Sequence, residues 1–232
     1  MKYLRFVLLS VFLVGCNTTK AIRTATPTML SSTASPALEL NIDDSFKYLG
    51  MTDIPNELSD DPHLQSFECF IYIDKRTKKY PEKMLIFTFA DCDARYYWTG
   101  FELDQPLTWT KTYIADVFFD SVINFRHTVP RDFVTDHLVS KGYDLAPRML
   151  SKYYIHNMRH GQICRISYWE AVDSHIYNRL AEWNEERFGG PHNGLSYHAH
   201  PPAKDLEIFL NNFNERADKA VNVSQSERNG YW

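Results

Sequence analysis

Alternating apolar and polar positions predict β-strands in the first half of the chain. In SFECFIYIDKRTKKYPEKMLIFTFADC, two runs rich in β-branched and aromatic residues predict strands at Phe67–Asp74 and Met84–Ala90, joined by a basic connection. The stretch RYYWTGFEL, residues 95–103, predicts a third strand and therefore an antiparallel meander. A second hairpin is predicted in SKYYIHNMRHGQICRISYWEAV, with its turn near Asn157–Gly161.

Helical spacing of apolar residues follows in the middle of the chain. The segment 108–129 shows alternation in places, but its apolar stripe favours a helix. That stripe consists of Ile114, Val117, Phe118, Val122 and Phe125. The next segment predicts a helix that starts at Pro130 and ends at Gly142, followed by a strand that begins at 143–145.

Two further helices are predicted near the C-terminus. Asp173 or Ser174 caps the first, which ends at Gly189 and Gly190. The second begins after Pro202, with an apolar stripe of Leu206, Leu210, Phe213, Ala217 and Ala220. Strands followed by helices without regular alternation predict an α+β domain, an antiparallel sheet built from hairpins with two C-terminal helices packed on it.

The N-terminus has the charge and hydropathy pattern of a signal peptide. Lys2 and Arg5 precede an apolar run, Phe6–Val14, which is too short to cross a hydrocarbon layer of about 30 Å. The run leads into Leu13, Val14, Gly15 and Cys16, and this stretch resembles the lipobox of bacterial lipoproteins. The resemblance implies cleavage before Cys16 and lipid attachment to its sulfur, so that several acyl chains anchor the protein to a membrane.

Asn17 directly after the cysteine implies, by the same resemblance, sorting to the outer membrane, with the domain facing the periplasm. Residues 17–37 are rich in Thr, Ser, Ala and Pro and lack aromatics, which predicts a flexible tether that reaches roughly 25 Å. The predicted organisation is therefore a signal peptide at 1–15, the lipidated Cys16 and tether at 16–37, a single α+β domain at 38–222 and a tail at 223–232.

Composition adds a mildly acidic charge and a large aromatic content. The formal net charge is −4, and it becomes −6 without residues 1–15 because Lys2 and Arg5 leave with them. This balance argues against nonspecific binding of nucleic acid. Aromatics form 15% of the chain, which favours a well-packed domain. Of the three remaining cysteines, Cys69 and Cys164 are predicted in the core, and the pairing of these two and Cys92 stays open.

The loop GGPHNGLSYHAHPP is the candidate metal site. His198 and His200 point the same way on an extended segment, and a Gly-rich loop brings His192 back toward them. Three such imidazoles can bind zinc or copper, with Glu185 or Glu186 as a fourth ligand. The alternative is a polar loop between two helices whose histidines are solvated. No other cofactor is predicted.

Two other polar pairs are weaker candidates. Asp91 and Asp93 follow a strand, where carboxylates can hold a magnesium ion and phosphate, but a turn-forming role is favoured. His156 and His160 have the spacing of a helical ligand pair, but they lie at a predicted hairpin turn, which favours a structural role.

Cys92 is the candidate nucleophile. Its surroundings, ADCDARYYW, superficially resemble the Asp-Cys-Ser start of the NlpC/P60 cell-wall peptidases, which implies a cysteine hydrolase with His137 or His175 as base. Here, however, Asp93 follows in place of a small residue, and a strand-like aromatic run replaces the family's helix.

The basic connection between the first two strands is a candidate contact surface for phosphates or an acidic partner. It contains Lys75, Arg76, Lys78, Lys79 and Lys83. A solvated turn that blocks aggregation is the alternative. Because no catalytic constellation is complete, the sequence favours a non-enzymatic accessory role, in which exposed aromatics bind an envelope protein. Metal binding or metal-dependent hydrolysis at His192, His198 and His200 is the first alternative, and a cysteine hydrolase at Cys92 is the second.

Overall fold

A computed structural model describes residues 21–34, 36–53, 64–92, 106–126, 133–157, 161–188 and 201–221. In these ranges the chain forms two antiparallel sheets and three helices, which confirms the α+β class. The predicted signal peptide, Cys16, the strand at 95–103 and the tail at 223–232 lie outside the described residues. Those four predictions therefore stay predictions.

The smaller sheet is N-terminal. Its strands are β1 (Arg23–Ala25), β2 (Met29–Ser32) and β3 (Leu38–Asn41), in the order β1-β2-β3.

The larger sheet has seven strands in the order β4-β5-β6-β10-β9-β8-β7, all antiparallel to their neighbours. The strands are β4 (Phe46–Thr52), β5 (Leu64–Asp74), β6 (Lys83–Cys92), β7 (Thr108–Ile114), β8 (Val117–Arg126), β9 (Met149–Asn157) and β10 (Gln162–Ala171). The helices are α1 (Phe133–Ser140), α2 (Ser174–Phe188) and α3 (Lys204–Ala220).

One face of the large sheet contacts both C-terminal helices and the small sheet. Leu30 from β2, Leu180 from α2 and Phe213 from α3 are fully buried in this cluster. They pack with sheet residues such as Phe87 and Tyr154. Because side chains alternate along a strand, this face uses every second residue of β5, β6 and β8–β10.

The opposite face packs against α1. Val134 and Leu138 of this helix are buried with Ile71, Ile86 and Trp169 of the sheet. The sheet is thus covered by helices on both faces, which explains why β5 and β6 are almost continuously apolar rather than alternating.

Several predicted elements are confirmed. The predicted strands Phe67–Asp74 and Met84–Ala90 lie within β5 and β6, and β9 and β10 form the second hairpin. The five residues of the predicted C-terminal stripe are the buried residues of α3. Asp173 caps α2, since its Oδ1 accepts a hydrogen bond of 2.8 Å from the backbone N–H of His175.

The predicted helix at 108–129 is wrong, because this segment forms the hairpin of β7 and β8. β8 also pairs along its length with β9, and this pairing outweighs the local helical spacing. The predicted strand at 143–145 is also absent. Instead, the Tyr143 hydroxyl lies 3.0 Å from Nζ of Lys47, and the segment crosses the face that holds α1.

The predicted tether at 17–37 is wrong from residue 23 onward, because β1 and β2 occupy part of it. Arg23 forms a 2.5 Å ion pair with Glu68 of β5 and lies over the Phe89 ring at 4.5 Å. Leu30 is fully buried in the main core. The folded domain therefore begins before the predicted boundary at residue 38. This segment is ordered despite its polar composition because its residues pack against parts of the chain that are distant in sequence.

Candidate binding surface on the β7–β8 hairpin

A tight turn joins the last two strands at one edge of the large sheet. Ile114 pairs with Val117, so Ala115 and Asp116 alone form the connection. Their φ angles are 47° and 63°, as a two-residue type I′ turn requires. This turn follows the right-handed twist of the strands, but positive φ is unfavourable for alanine because its Cβ approaches the backbone.

The turn gives a first testable prediction. Replacing Ala115 by Asn and Asp116 by Gly should raise the free energy of unfolding by about 1 kcal/mol, because both new residues accept positive φ. Urea denaturation followed by circular dichroism measures the change. An Ala115→Val variant is the control and should be destabilised, since a β-branched residue strains most at this φ. Equal stability of all three chains would contradict the turn conformation.

Three aromatic side chains are exposed on the outer face of this hairpin, opposite α2 and α3. Trp109 is 53% exposed, Tyr113 is 44% exposed and Phe118 is 38% exposed. Lys111 lies between the first two on the same face of β7. We call Trp109, Lys111, Tyr113 and Phe118 the aromatic hairpin surface. Clustered exposed aromatics of this kind mark interaction sites in soluble domains.

Contacts within the surface hold these side chains in place. The rings of Tyr113 and Phe118 meet edge to face, with centroids 5.7 Å apart. Nζ of Lys111 lies 5.8 Å from the Phe118 centroid, and Nε1 of Trp109 donates a 3.4 Å hydrogen bond to Oδ1 of Asp120. The surface is therefore ordered before any partner binds, which lowers the entropic cost of association.

His156 supports the surface from β9. Its Nδ1 lies 2.6 Å from the carbonyl oxygen of Phe118, and because a carbonyl oxygen only accepts, Nδ1 is the donor. The ring also packs against the buried Phe119 at 5.5 Å. This contact gives His156 the predicted structural role, whereas its predicted companion His160 lies outside the described residues.

The predicted metal ligands His192, His198 and His200 lie outside the described residues, so the zinc or copper site stays a prediction. Glu185 and Glu186, the predicted fourth ligands, are exposed near the end of α2. In the ranges that the structure describes, no group of three or more His, Cys, Asp or Glu side chains can hold a metal ion. Equilibrium dialysis of the full chain against zinc tests the histidine loop.

Cys92 is the last residue of β6, and its side chain lies outside the described residues. Its two predicted bases are on opposite faces of the sheet. His137, on α1, packs at the position where Gly50 has no side chain, and burial lowers its pKa. His175 is exposed in the first turn of α2.

Asp91 lies within β6 rather than in a turn. Its Oδ2 accepts a 2.5 Å hydrogen bond from Ser66, and its buried Oδ1 has no hydrogen-bond partner among the residues that the structure describes. Asp93, its predicted companion, lies outside the described residues.

The other two cysteines are buried and lie on opposite faces of the sheet. Cys69 belongs to the α1 cluster and Cys164 to the α2 and α3 cluster. Their placement confirms the predicted core role and removes the disulfide between this pair, since their side chains point apart. Burial raises the pKa of the Cys164 thiol, which makes it unreactive.

Sequence analysis missed the aromatic hairpin surface because its residues were assigned to a helix. The signal was the strict alternation in TWTKTY, in which threonines occupy every second position and Trp109, Lys111 and Tyr113 the others.

No protein-family model, curated protein or solved structure matches this chain. Among the described helices, none is both long enough and apolar enough to cross a bilayer.

Proposed function

We propose that this chain is a lipid-anchored outer-membrane protein whose periplasmic domain binds a protein of the cell envelope in a non-enzymatic accessory role. The lipobox-type stretch ending at Cys16 supports the anchor. The single observation that supports binding is the ordered aromatic hairpin surface. Tryptophan and tyrosine dominate the energetics of protein interfaces, since each buries a large area with few rotatable bonds.

The position of the hairpin supports a partner close to the membrane. Arg23, the first residue of β1, contacts Glu68, and Glu68 is aligned across β6 and β10 with His156. His156 in turn contacts Phe118. The chain therefore enters the fold at the same end of the sheet as the hairpin turn. A lipid on Cys16 keeps that end near the bilayer surface.

Crosslinking in intact cells tests this proposal. Full-length lipidated protein should capture one dominant partner, and the Cys16→Ala form should lose it. The double variant Trp109→Ala/Tyr113→Ala should lower recovery by at least about tenfold, because interface aromatics often contribute more than 2 kcal/mol each. The matched control is Val139→Ala/Ile208→Ala, which removes two side chains that are 55% and 51% exposed on α1 and α3.

Recovery by the control should equal that of the unaltered protein. Equal recovery by the aromatic variant would show that the hairpin is not the contact surface. If no partner is recovered above background, the binding role is wrong. Binding of small ligands, and of metal at the histidine loop, would then be tested.

A further inference from the structure

A group of cations lies at the end of the sheet opposite the chain's entrance. Lys75, Arg76, Lys78 and Lys79 follow β5 and are all exposed, with the Arg76 and Lys79 side chains 85% and 61% accessible. We call these four residues the basic turn. Tyr80, which is 50% exposed, lies beside them, with Nζ of Lys79 at 5.1 Å from its ring.

The backbone of the basic turn is fixed by hydrogen bonds. Oδ1 of Asp74 accepts from the backbone N–H of Arg76 at 2.8 Å, and the Asp74 carbonyl accepts from Thr77 at 3.1 Å. The backbone N–H of Lys75 donates to Ser45 at 2.8 Å. These hydrogen bonds fix the backbone positions of the four cations relative to the end of β5.

The length of chain before the fold limits what this turn can reach. Ile22 lies six residues after Cys16 in the sequence, so their Cα atoms are at most about 22 Å apart. Lys75 lies seven residues after Glu68, the partner of Arg23, and at 3.3 Å per residue along β5 this distance is about 23 Å. If the domain stood on its basic turn, Ile22 would lie at the limit of this reach, and the chain back to Cys16 would have to be almost fully extended, which is entropically unfavourable.

Acidic residues between the cations bear on the chemistry of the partner. Asp144 pairs with Lys79 at 3.0 Å and is 45% exposed, and Glu82 is exposed two residues beyond Tyr80. A uniformly negative bilayer would repel both carboxylates. A protein segment can instead present acidic side chains to the cations and basic side chains to the two carboxylates. Such complementary placement favours binding, because like charges that face each other lower both affinity and specificity.

We infer that the basic turn faces away from the anchoring membrane and binds an acidic segment of a protein partner. This inference rests on the proposed function for the anchor and concerns a second contact surface, at the end of the sheet opposite the β7–β8 turn. Lysines dominate the surface, so recognition depends on point charges and should weaken steeply with salt.

The test uses full-length lipidated protein in phosphatidylcholine nanodiscs, with poly-glutamate peptide as the probe. Lys75→Glu/Arg76→Glu/Lys78→Glu should weaken binding at about 0.1 M salt, where the Debye length is about 10 Å, by about tenfold or more, since three attractive charges become repulsive. The control, Lys204→Glu/Asn211→Glu/Asn212→Glu, adds negative charge at three exposed positions of α3, none of which belongs to the basic turn or to the aromatic hairpin surface. It should weaken binding by less than about twofold, because distant exposed charges are screened. Equal loss in both variants would overturn the inference.

Two further arms separate membrane from protein chemistry. Phosphatidylglycerol vesicles should bind more weakly than poly-glutamate, and stronger vesicle binding through the basic turn would overturn the choice of a protein segment. A spin label at Thr77→Cys should be accessible to a water-soluble relaxation agent, whereas one at Ile22→Cys should lie near the lipid. A Thr77 label in contact with lipid would overturn the orientation.

Failure of the proposed function would give a different result from failure of this inference. It would appear as a mature Cys16 without lipid in mass spectrometry, and poly-glutamate binding by the basic turn can still be measured on that chain.

Discussion

Replacing Leu30 by alanine is expected to lower the free energy of unfolding by about 2–5 kcal/mol. Leu30 lies on β2 of the small sheet and is fully buried against the face that holds α2 and α3. Truncation removes apolar contacts and leaves a cavity that neighbouring side chains fill incompletely. If residues 17–37 were a tether, the same change would have almost no effect.

Guanidinium denaturation followed by tryptophan fluorescence measures this difference. Thr28→Ala is the matched control, since Thr28 is exposed two residues away in the same segment and should change stability by less than about 0.5 kcal/mol. Equal stability of the Leu30 variant and the control would contradict the packing of the small sheet on the core.

The elements that sequence predicts correctly are those whose pattern is local and uninterrupted. In α3, a helix of seventeen residues, one apolar stripe runs from Leu206 to Ala220, and every member of it is buried. In β5 and β6, long runs of aromatic and β-branched residues predict strands. This prediction does not depend on which face of the sheet each side chain lies on. These patterns need no information from distant parts of the chain.

The β7–β8 hairpin was misread because its turn imitates a helix. Ile114 and Val117 pair directly across two turn residues, which places them three apart in sequence, as neighbours on a helix are. Past the turn the alternation changes phase, so Phe118 faces outward where Tyr113 does. Ala115 and Asp116 lack the Asn-Gly or Asp-Gly signal that marks a type I′ turn.

The N-terminal strands and the contact surface depend on tertiary structure. Arg23 contacts Glu68 and Phe89, which lie at least 45 residues away in the sequence. The composition of the N-terminal segment therefore does not predict these contacts. Likewise, 34 aromatics are present in the sequence, but only the fold distinguishes Trp109 and Tyr113 on the surface from Tyr72 and Phe87 in the core.

The second large effect is expected at a buried charge between the sheet and α3. Lys152 of β9 is 2% exposed and forms an ion pair with Oδ1 of Asp218. The Tyr154 hydroxyl donates a 2.7 Å hydrogen bond to the same oxygen, and Nδ2 of Asn214 donates to Oδ2 at 3.2 Å. Asp218→Asn keeps an acceptor for Tyr154 but removes the negative charge beside the Lys152 ammonium.

This variant should lose about 3 kcal/mol of stability, because a buried cation without its counter-charge is strongly destabilising. Lys152→Met should cost less, about 1 kcal/mol, since the Asp218 side chain is 26% exposed and water can solvate it. The double variant Lys152→Met/Asp218→Asn should recover most of the loss, because it removes both charges and preserves the Tyr154 hydrogen bond. Urea denaturation of all four chains gives the coupling energy. Additive losses in the double variant would mean that Asp218 stabilises α3 by some means other than its pairing with Lys152.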